Sequence, residues 1–532
     1  MQFYSQSMIN MPEKEILANR SAALNHLEQY EDTLSDIKRC LSLGYPRHLR
    51  YKVYERRARY INFALNFFMN DSSLLTYCFT LAKFHRAKNT VEPLNRTPPK
   101  PKLPGKNNPQ YPAASEAIKI DSDEVRGRFA IASKDVEPGE VLLVEKPHSG
   151  VLLAEYSSTH CQNCFIKCPI PLPCPKCPNV VFCSDKCLET AQKSYHAYEC
   201  HILPLLWKSG CSITCHIALR MITQRKKEYF TNINQELDTK PTGPYKTDDY
   251  RNIYHLVAHE DKRSKLDFLH RTQMTAFFVK LLEISGYFDG KPRSKPEDVA
   301  LIGGLILKNL QILKFNAHEV FELQCPKPKV DKNVIKHEGK SVFLAGAVFP
   351  TLALFNHSCD PGVVRYFCGN HIVVRAVKNI KKGEEVSENY GPIFTTVPKE
   401  KRQAELKEQY WFDCQCIPYI NPSAVIHRCD SDRPCPNVVA VPYDCKDFML
   451  QCGLCQQYTN ILKGLKALQD TEMMYRLGRA EMESGQYGEA MKKFVAVLKL
   501  YDETLAPPYQ SYYDCVQDLR RCMLAMGNYS IV

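Results

Sequence analysis

The chain has 532 residues, of which 44% are apolar and 24% charged, a composition that excludes a wholly disordered protein. Its net charge of +12 is mild for 61.0 kDa, so it does not by itself indicate nucleic-acid binding. No apolar run approaches the roughly 20 residues of a transmembrane helix, and we expect no membrane contact. No signal-peptide pattern opens the chain, so the 24 cysteines predict a reducing compartment and clustered metal ligands.

The first 88 residues are expected to be helical. Residues 15–43 contain no proline and follow a helical pattern that is interrupted near residues 27–30. Leu17–Ala22, followed by Tyr30 and Leu34, resemble the two helices of a tetratricopeptide (TPR) repeat, and an ordinary helical hairpin is the alternative. A weaker helix pair is expected over residues 47–88, and residues 3–11 resemble the tail of a preceding repeat.

A proline-rich stretch separates these helices from the rest of the chain. Seven prolines fall between Pro93 and Pro112, which predicts a semi-rigid linker over residues 89–112. Beyond the linker, residues 125–132 and 136–143 alternate small and apolar side chains on either side of a turn. This pattern is typical of a short β-hairpin.

Residues 161–200 contain a regular series of soft metal ligands, spaced C-x2-C-x9-C-x2-C-x5-C-x3-C-x8-H-x3-C. Eight such ligands predict two tetrahedral structural zinc sites. A segment of this length cannot build a core alone, so metal binding would supply much of its folding energy. The spacing resembles the MYND zinc finger. In that family the ligand pairs interleave, which implies one ion on Cys161, Cys164, Cys183 and Cys187 and another on Cys174, Cys177, His196 and Cys200.

Fingers of this kind bind proteins more often than they bind DNA. The lysines of residues 161–200 are nearly balanced by acidic residues, and there is no basic stripe of the kind that phosphate contacts need. We therefore expect protein partners and no direct nucleic-acid binding.

Two further motifs follow the finger. Residues 349–361 read FPTLALFNHSCDP, and residues 383–391 read GEEVSENYG. The order of hairpin, NHSCDP and GEEV…Y resembles the SET domain of protein-lysine methyltransferases. A SET domain split by a MYND finger is the arrangement of the SMYD family, and the TPR-like helices resemble its TPR-bearing branch.

The resemblance implies an α+β multidomain protein, in which a β-rich SET domain with an inserted MYND zinc finger and helical insert is flanked by α-helical TPR-like segments. The expected segments are a TPR-like segment that starts inside a repeat (1–88), a linker (89–112), the N-terminal part of the SET domain (113–160), the finger (161–200), the helical insert (201–312), the SET core (313–395), a post-SET region with a candidate zinc ribbon (396–456) and C-terminal TPR-like helices (457–532). In this last segment, Gly485-Gln486-Tyr487 and Gly527-Asn528-Tyr529 recur, each at an expected turn between helices, and the chain would end inside a repeat.

The resemblance also implies S-adenosylmethionine (SAM) as cofactor and a set of site residues. The cofactor would contact Arg126, Gly127, Arg128, Asn316, Asn356, His357, Tyr410 and Phe412, of which the last two also line the lysine channel. For Asn316, a polar helix cap is the alternative. Tyr390 would be the catalytic tyrosine and would orient the lysine amine. It is not expected to be a general base, because a phenol pKa near 10 leaves little phenolate at pH 7.

A third zinc site is implied by the resemblance, with Cys359, Cys414 and Cys416 as ligands. Tyr419 occupies the position of the fourth cysteine. The third site therefore takes Cys429 as a substitute, keeps three protein ligands or is lost; we expect a substitute ligand. Gly362 is a second departure, since the family has asparagine at this position. The absence of the asparagine is expected to loosen the loop that carries His357.

Four cysteines beyond this site have the spacing Cys429-x5-Cys435 and Cys452-x2-Cys455. They predict either a small zinc ribbon or free buried thiols. If Cys429 is taken by the third site, the ribbon lacks a ligand.

The sequence therefore predicts a SAM-dependent protein-lysine N-methyltransferase acting on histone or non-histone protein lysines, with finger and TPR-like segments that bind protein partners. The alternative is a catalytically weak SET/MYND/TPR adaptor in transcriptional or chaperone-type complexes. The intact set of Asn356, His357 and Tyr390 favours the enzyme. We expect the protein in the cytoplasm and nucleus.

Overall fold

The computed structural model describes residues 13–27, 29–57, 98–169, 171–288, 295–325, 339–391, 393–394, 397–416, 424–429, 435, 437–442, 445–506 and 510–531. The repeat tail predicted at residues 3–11, most of the helix pair predicted at 47–88, the start of the linker predicted at 89–112 and the position of Tyr419 lie outside these ranges. Within the ranges, no helix combines the length and the apolar character that crossing a bilayer requires.

The described helices and strands alternate irregularly along the chain. The helices are α1 Glu13–His26, α2 Tyr30–Ser42, α3 Asp185–Gln192, α4 His196–Glu199, α5 Leu203–Lys208, α6 Ile213–Thr223, α7 Lys227–Ile233, α8 Tyr250–Tyr254, α9 Lys265–Ile284, α10 Pro296–Asn316, α11 Lys399–Tyr410, α12 Ile461–Glu483, α13 Tyr487–Thr504 and α14 Gln510–Ala525. The strands are β1 Ile118–Asp123, β2 Gly127–Ala132, β3 Val141–Glu145, β4 Ser149–Leu152, β5 Leu172–Pro173, β6 Val181–Phe182, β7 Ala317–Cys325, β8 Lys340–Val348, β9 Val363–Cys368, β10 His371–Ala376, β11 Ala424–Arg428, β12 Val438–Pro442, β13 Met449–Gln451, β14 Tyr458–Asn460, β15 Leu505–Ala506 and β16 Tyr529–Ile531.

Three small sheets contribute side chains to one apolar cluster, which we call the central core. β1 pairs with β2, β3–β10–β9 form a second sheet, and β16–β7–β8–β4 form a third. The second sheet lies between two apolar clusters, because Ile372 and Val374 of β10 face the central core while Val373 faces the C-terminal helices. Side chains of a strand alternate between faces, so burial on both sides explains the nearly continuous apolar sequence of β9 and β10.

The hairpin predicted from residues 125–132 and 136–143 is wrong in its pairing. Both segments contain strands, but β2 pairs with the preceding β1 and β3 pairs with the distant β10. Between them, Val136 exchanges two backbone hydrogen bonds with Ile380, of 2.9 and 3.0 Å. β2 and β3 therefore do not form a local hairpin, and the segment between them pairs with a remote part of the chain.

The cysteine-rich segment packs against the helical insert through one buried charged network. Arg220 of α6 and Glu199 of α4 form an ion pair with almost no solvent exposure, and His216 Nε2 lies 3.0 Å from the same carboxylate. The Arg220 guanidinium also stacks on Tyr195, 4.1 Å from the ring centre. Because a buried ion pair is strongly destabilised when one member is removed, this network fixes the segment on the insert.

The C-terminal helices end in a strand, where the sequence predicted another turn between helices. After α14, Asn528 donates from its side-chain amide to Gly369 O at 2.8 Å and accepts from Gly369 N–H at 2.7 Å. Tyr529–Ile531 then pair in parallel with Leu323–Cys325 of β7. Gly527-Asn528-Tyr529 therefore joins the C-terminal helices to the central sheets. Its sequence resembles Gly485-Gln486-Tyr487, but its structure differs.

We predict that Asn528→Ala destabilises the whole central unit. The change leaves a buried N–H and a buried C=O of Gly369 without partners, each costing about 1–3 kcal/mol. Thermal and urea unfolding of the full chain should show a clear loss of stability, whereas the exposed substitution Lys499→Ala should change little. An unfolding midpoint of Asn528→Ala equal to that of the unmodified chain would show that this anchor contributes nothing.

Candidate active site and metal clusters

Two chain segments lie side by side at the centre of the candidate site. Ser358 N–H donates to Glu388 O at 2.7 Å, and Glu388 N–H donates to Asn356 O at 2.9 Å. Gly362 N–H donates to Ser387 O at 3.1 Å, so the NHSCDP segment is held at both ends. A Cβ at Gly362 would lie 3.0 Å from Ile380 Cδ1, a tight contact that the end of the isoleucine side chain would have to relieve. The loop that the sequence expected to be loosened is therefore tied down.

Tyr390 follows this crossing directly and is partly buried. Its hydroxyl donates to Phe355 O at 2.8 Å, and its ring lies 4.9 Å from that of Tyr410. Phe412 stands 6.5 Å from both rings, and the Tyr410 hydroxyl donates to Tyr390 O at 3.2 Å. Burial, reinforced by the carboxylate of Glu388, raises the pKa of the Tyr390 phenol far above its usual value. The structure thus brings together three predicted site residues around a neutral hydroxyl.

A buried ion pair that the sequence analysis missed holds Tyr390 from behind. Arg365 Nη1 donates to Glu388 Oε2 at 2.7 Å and to Asn389 O at 3.0 Å, and His318 Nε2 lies 3.6 Å from Glu388 Oε1. Burial raises the pKa of Glu388, but Arg365 and His318 outweigh it and lower the pKa, so the carboxylate stays charged. The available signal was an arginine within the otherwise apolar strand VVRYFC.

The predicted cofactor loop is tied to the same crossing. Asn356 Nδ2 donates to Arg126 O at 3.3 Å, and the Arg126 side chain pairs with Asp123 and Glu385. Gly127 has φ of +65°, a conformation that residues with a side chain rarely adopt. Arg128 points elsewhere and donates to a carbonyl of the insert, His255 O, at 2.8 Å.

Asn316 is the last residue of α10 and is buried. Its side-chain amide donates to Ile312 O at 2.7 Å and to Val257 O at 2.8 Å, so it closes the helix end and fastens a loop of the insert. This is the capping geometry that the sequence left as the alternative for Asn316.

Trp411 is another residue that the sequence analysis missed. It lies beside the end of α10, apart from the aromatic group of Tyr390, Tyr410 and Phe412. It ends α11 with φ of +61°, and its ring lies 5.0 Å from Phe315. The Arg263 guanidinium stands 5.4 Å from the Trp411 ring. The left-handed turn therefore separates Trp411 from Tyr410 and Phe412 and packs it beside the end of α10.

A third group of soft ligands lies directly behind the aromatic residues. Cys359 Sγ is 3.7 Å from Cys414 Sγ, and Cys416 Sγ accepts the Cys359 N–H at 3.4 Å. His357 Nε2 lies 3.3 Å from Cys359 Sγ, and its Nδ1 accepts the Tyr390 N–H at 3.1 Å. The ligand atoms of all four residues lie within 4.8 Å of one another. The imidazole that was predicted at the cofactor therefore stands among the thiols.

Cys429, the substitute ligand suggested by the sequence, is not part of this group. Its Sγ lies 3.4 Å from Cys455 Sγ in a separate group of four cysteines. The expectation that Cys429 reaches back to the third site is wrong, because it directly follows β11 and is held in a different unit.

The finger residues form two groups of four ligands. Cys161, Cys164, Cys183 and Cys187 form one group, and Cys174, Cys177, His196 and Cys200 form the other. In the first, Cys183 Sγ lies 3.6 Å from Cys164 Sγ and 3.5 Å from Cys187 Sγ. In the second, His196 Nε2 lies 3.2 Å from Cys174 Sγ and 3.6 Å from Cys177 Sγ. Sulfur and imidazole donors converging this closely fit structural Zn²⁺.

We predict different effects for two neighbouring glutamates of the GEEVSE segment. Glu388→Gln leaves Arg365 in a buried position without its counter-charge, and removing one member of a buried pair costs about 3 kcal/mol or more. Glu385→Gln breaks only a partly exposed contact with Arg126, worth under about 1 kcal/mol. Differential scanning fluorimetry should show a much larger drop in melting temperature for Glu388→Gln, and equal drops would contradict this assignment.

Comparisons with known proteins give a SET-domain match and several methyltransferase relatives. Residues 127–391 match the family model described as "SET domain". The protein-lysine N-methyltransferase SMYD4 of Homo sapiens is 25% identical over 616 aligned positions that cover 96% of this chain and 75% of that protein. A SET and MYND domain-containing protein of Dictyostelium discoideum is 27% identical, covering 56% of this chain and 59% of its own length.

A crystal structure of the SET domain of LSMT bound to lysine and AdoHcy aligns with 77% of this chain and 84% of its own, at 13% identity and a TM-score of 0.23, too low to support any conclusion. The SET match and the sequence relatives carry the assignment. This chain thus contains a SET domain over residues 127–391 and is a homologue of the SMYD4 protein-lysine N-methyltransferases over most of its length.

Proposed function

We propose that the chain is a SAM-dependent protein-lysine N-methyltransferase. The observation that carries the proposal is the crossing of residues 356–358 with residues 387–388, which sets Tyr390 among Tyr410 and Phe412. The named activity of the SMYD4 relatives agrees with it. Histone and non-histone lysines would use the same aromatic walls, so the substrate class is a protein lysine.

The predicted cofactor loop, which contains Arg126 and Gly127, fits SAM as cofactor. Gly127 leaves the loop backbone bare, and the Asn356 amide holds that backbone from the other side. Backbone groups and an amide suit the amino-acid tail and the adenine of SAM, which supplies a methyl group on a sulfonium cation. In this proposal Arg126, Gly127, Asn356 and the backbone of His357 hold the cofactor. Asn316 supports the site through the end of α10.

The chain's own contribution to transfer is positioning. Methyl transfer is an in-line displacement, so holding the lysine amine in line supplies much of the rate. The attacking amine must be neutral, although the pKa of a free lysine is near 10.4. Aromatic walls that exclude water lower that pKa by desolvation. The Tyr390 hydroxyl stays protonated and orients the amine, so the amine proton leaves to water.

Metal ions in this proposal are structural. Two zinc ions would be held in the finger, and a third by Cys359, Cys414 and Cys416, with the imidazole of His357 beside them. A site closed by four protein ligands has no open position for catalysis. The third ion would brace the aromatic residues, because Cys414 follows Phe412 by two positions and His357 contacts Tyr390.

The helical ends are proposed as TPR-like partner surfaces. In the N-terminal pair α1–α2, Arg20 forms a buried ion pair with Asp36 at 2.6 Å and also donates to Pro171 O of the finger at 3.0 Å. Arg39 reaches Asp185 of the finger at 2.6 Å. The finger and the helices would then offer one composite surface to protein partners, in the cytoplasm and nucleus.

We predict that Tyr390→Phe abolishes transfer but leaves SAM binding intact. Loss of one oriented hydroxyl at a reacting centre costs about 100-fold or more in rate. Transfer is measured with labelled SAM on a cell lysate, with products mapped by mass spectrometry, and SAM binding by calorimetry. Tyr51→Phe, at an exposed tyrosine in the N-terminal part of the chain, is the matched control. Loss of both activities with a lowered melting temperature would make Tyr390 a structural residue.

The adaptor alternative makes the opposite prediction for the unmodified chain. An adaptor that keeps only the fold has no need of the cofactor, so calorimetric titration of the folded chain with SAM separates the two functions. We expect measurable heat with one site per chain. Folded protein that gives no heat would contradict the enzyme and leave the adaptor.

A further inference from the structure

The fourth group of cysteines lies outside both the finger and the candidate active site. Cys429 directly follows β11, and Cys452 directly follows β13. β11 and β12 form one antiparallel pair, and β13 and β14 form another. The two cysteine pairs therefore stand at the ends of two hairpins, as in a zinc ribbon.

The four sulfur atoms have the separations that a tetrahedral metal site requires. Cys429 Sγ lies 3.4 Å from Cys455 Sγ, Cys435 Sγ lies 3.9 Å from Cys452 Sγ, and all four lie within 4.8 Å of one another. A tetrahedron with Zn–S bonds of about 2.3 Å places sulfur atoms about 3.8 Å apart. A disulfide would require about 2.05 Å. The spacing therefore fits a shared ion better than two covalent bridges.

The surroundings of Cys452 add a second, independent observation. Asn437 Nδ2 donates to Cys452 Sγ at 3.2 Å. Gln456, with φ of +62°, closes the turn by donating its N–H to Cys452 O at 2.9 Å. Donors directed at a buried sulfur are the supporting contacts that metal-bound thiolates receive.

Several described apolar side chains of this unit are exposed and not packed. Among the side chains described here, Phe448, Met449, Leu454 and Tyr458 are 49–62% exposed. The β13–β14 pair has only two strands of three residues, and an isolated two-stranded pair is marginal without further support. Small units of this kind usually need metal ligation or disulfides to fold.

We propose that these four cysteines bind one structural zinc ion, in addition to the ions of the finger and of the third group. The ion would fasten the C-terminal helices to the SET domain. α12 begins immediately after β14, and Ile461 N–H donates to Phe448 O at 3.0 Å. β11 also pairs with β15, and Arg428 donates to Asp502 O of α13 at 2.6 Å. Both ends of the α12–α13 hairpin thus meet the same unit.

The test is the metal content of the full chain and of two matched variants. Zinc per chain is measured by inductively coupled plasma mass spectrometry after dialysis. Cys452→Ser should lose one zinc equivalent relative to the unmodified chain. Cys445→Ser should lose none, because the Cys445 sulfur donates instead to Asp447 O within the same unit. Equal zinc content in Cys452→Ser and the unmodified chain would overturn the proposal.

A measurement on the unmodified chain covers the case in which Cys452→Ser does not fold. The folded protein is treated with iodoacetamide, with and without a chelator, and modified cysteines are mapped by mass spectrometry without reductant. The four cysteines should be protected until the chelator is added, whereas Cys445 should react at once. Equal alkylation of the four cysteines with and without the chelator would overturn the proposal. A disulfide between any two of the four would also overturn it. Neither result depends on methyl transfer.

Discussion

The backbone pairing between residues 356–358 and 387–388 is the constraint on which the rest of the site depends. It joins two segments that no local sequence preference would bring together, and Arg365 fixes one of them through the buried carboxylate of Glu388. This pairing determines the orientation of Tyr390. It also places the predicted cofactor loop beside Asn356 and the His357 ring against the thiols. Neighbouring groups therefore respond together to a change at this point.

Four clusters of soft ligands occur at separate places in the described part of the chain. The finger interrupts the SET domain between β4 and α5, the third group lies behind the aromatic residues, and the fourth lies before α12. Each is at a junction between a sheet and a helical segment. Soft ligands concentrate binding energy in few residues, so they can secure a junction that offers little surface for burial.

Sequence spacing predicted what is local and missed what is long-range. The spacing of the finger predicted eight ligands for two sites, and the resemblance to the MYND finger implied the two interleaved groups that the structure brings together. The pairing of β3 with β10 and of β16 with β7 could not be read from the sequence, since short apolar strands have many equivalent partners. The place of His357 was missed for a related reason: its neighbour along the chain, Asn356, faces the cofactor loop, while its own ring turns to the cysteines.

The parallel strand β16 has a consequence for the synthesis of the chain. Ser530 donates to Glu322 at 2.7 Å across 208 positions of sequence, and Glu322 also meets His160, at the edge of the finger, at 3.3 Å. A ribosome delivers residue 322 long before residue 530. The edge of β7, the strand that carries His318, therefore stays unpaired until β16 has been synthesised. An unpaired strand edge can pair with other chains, so β7 is open to incorrect pairing until residues 529–531 have been added.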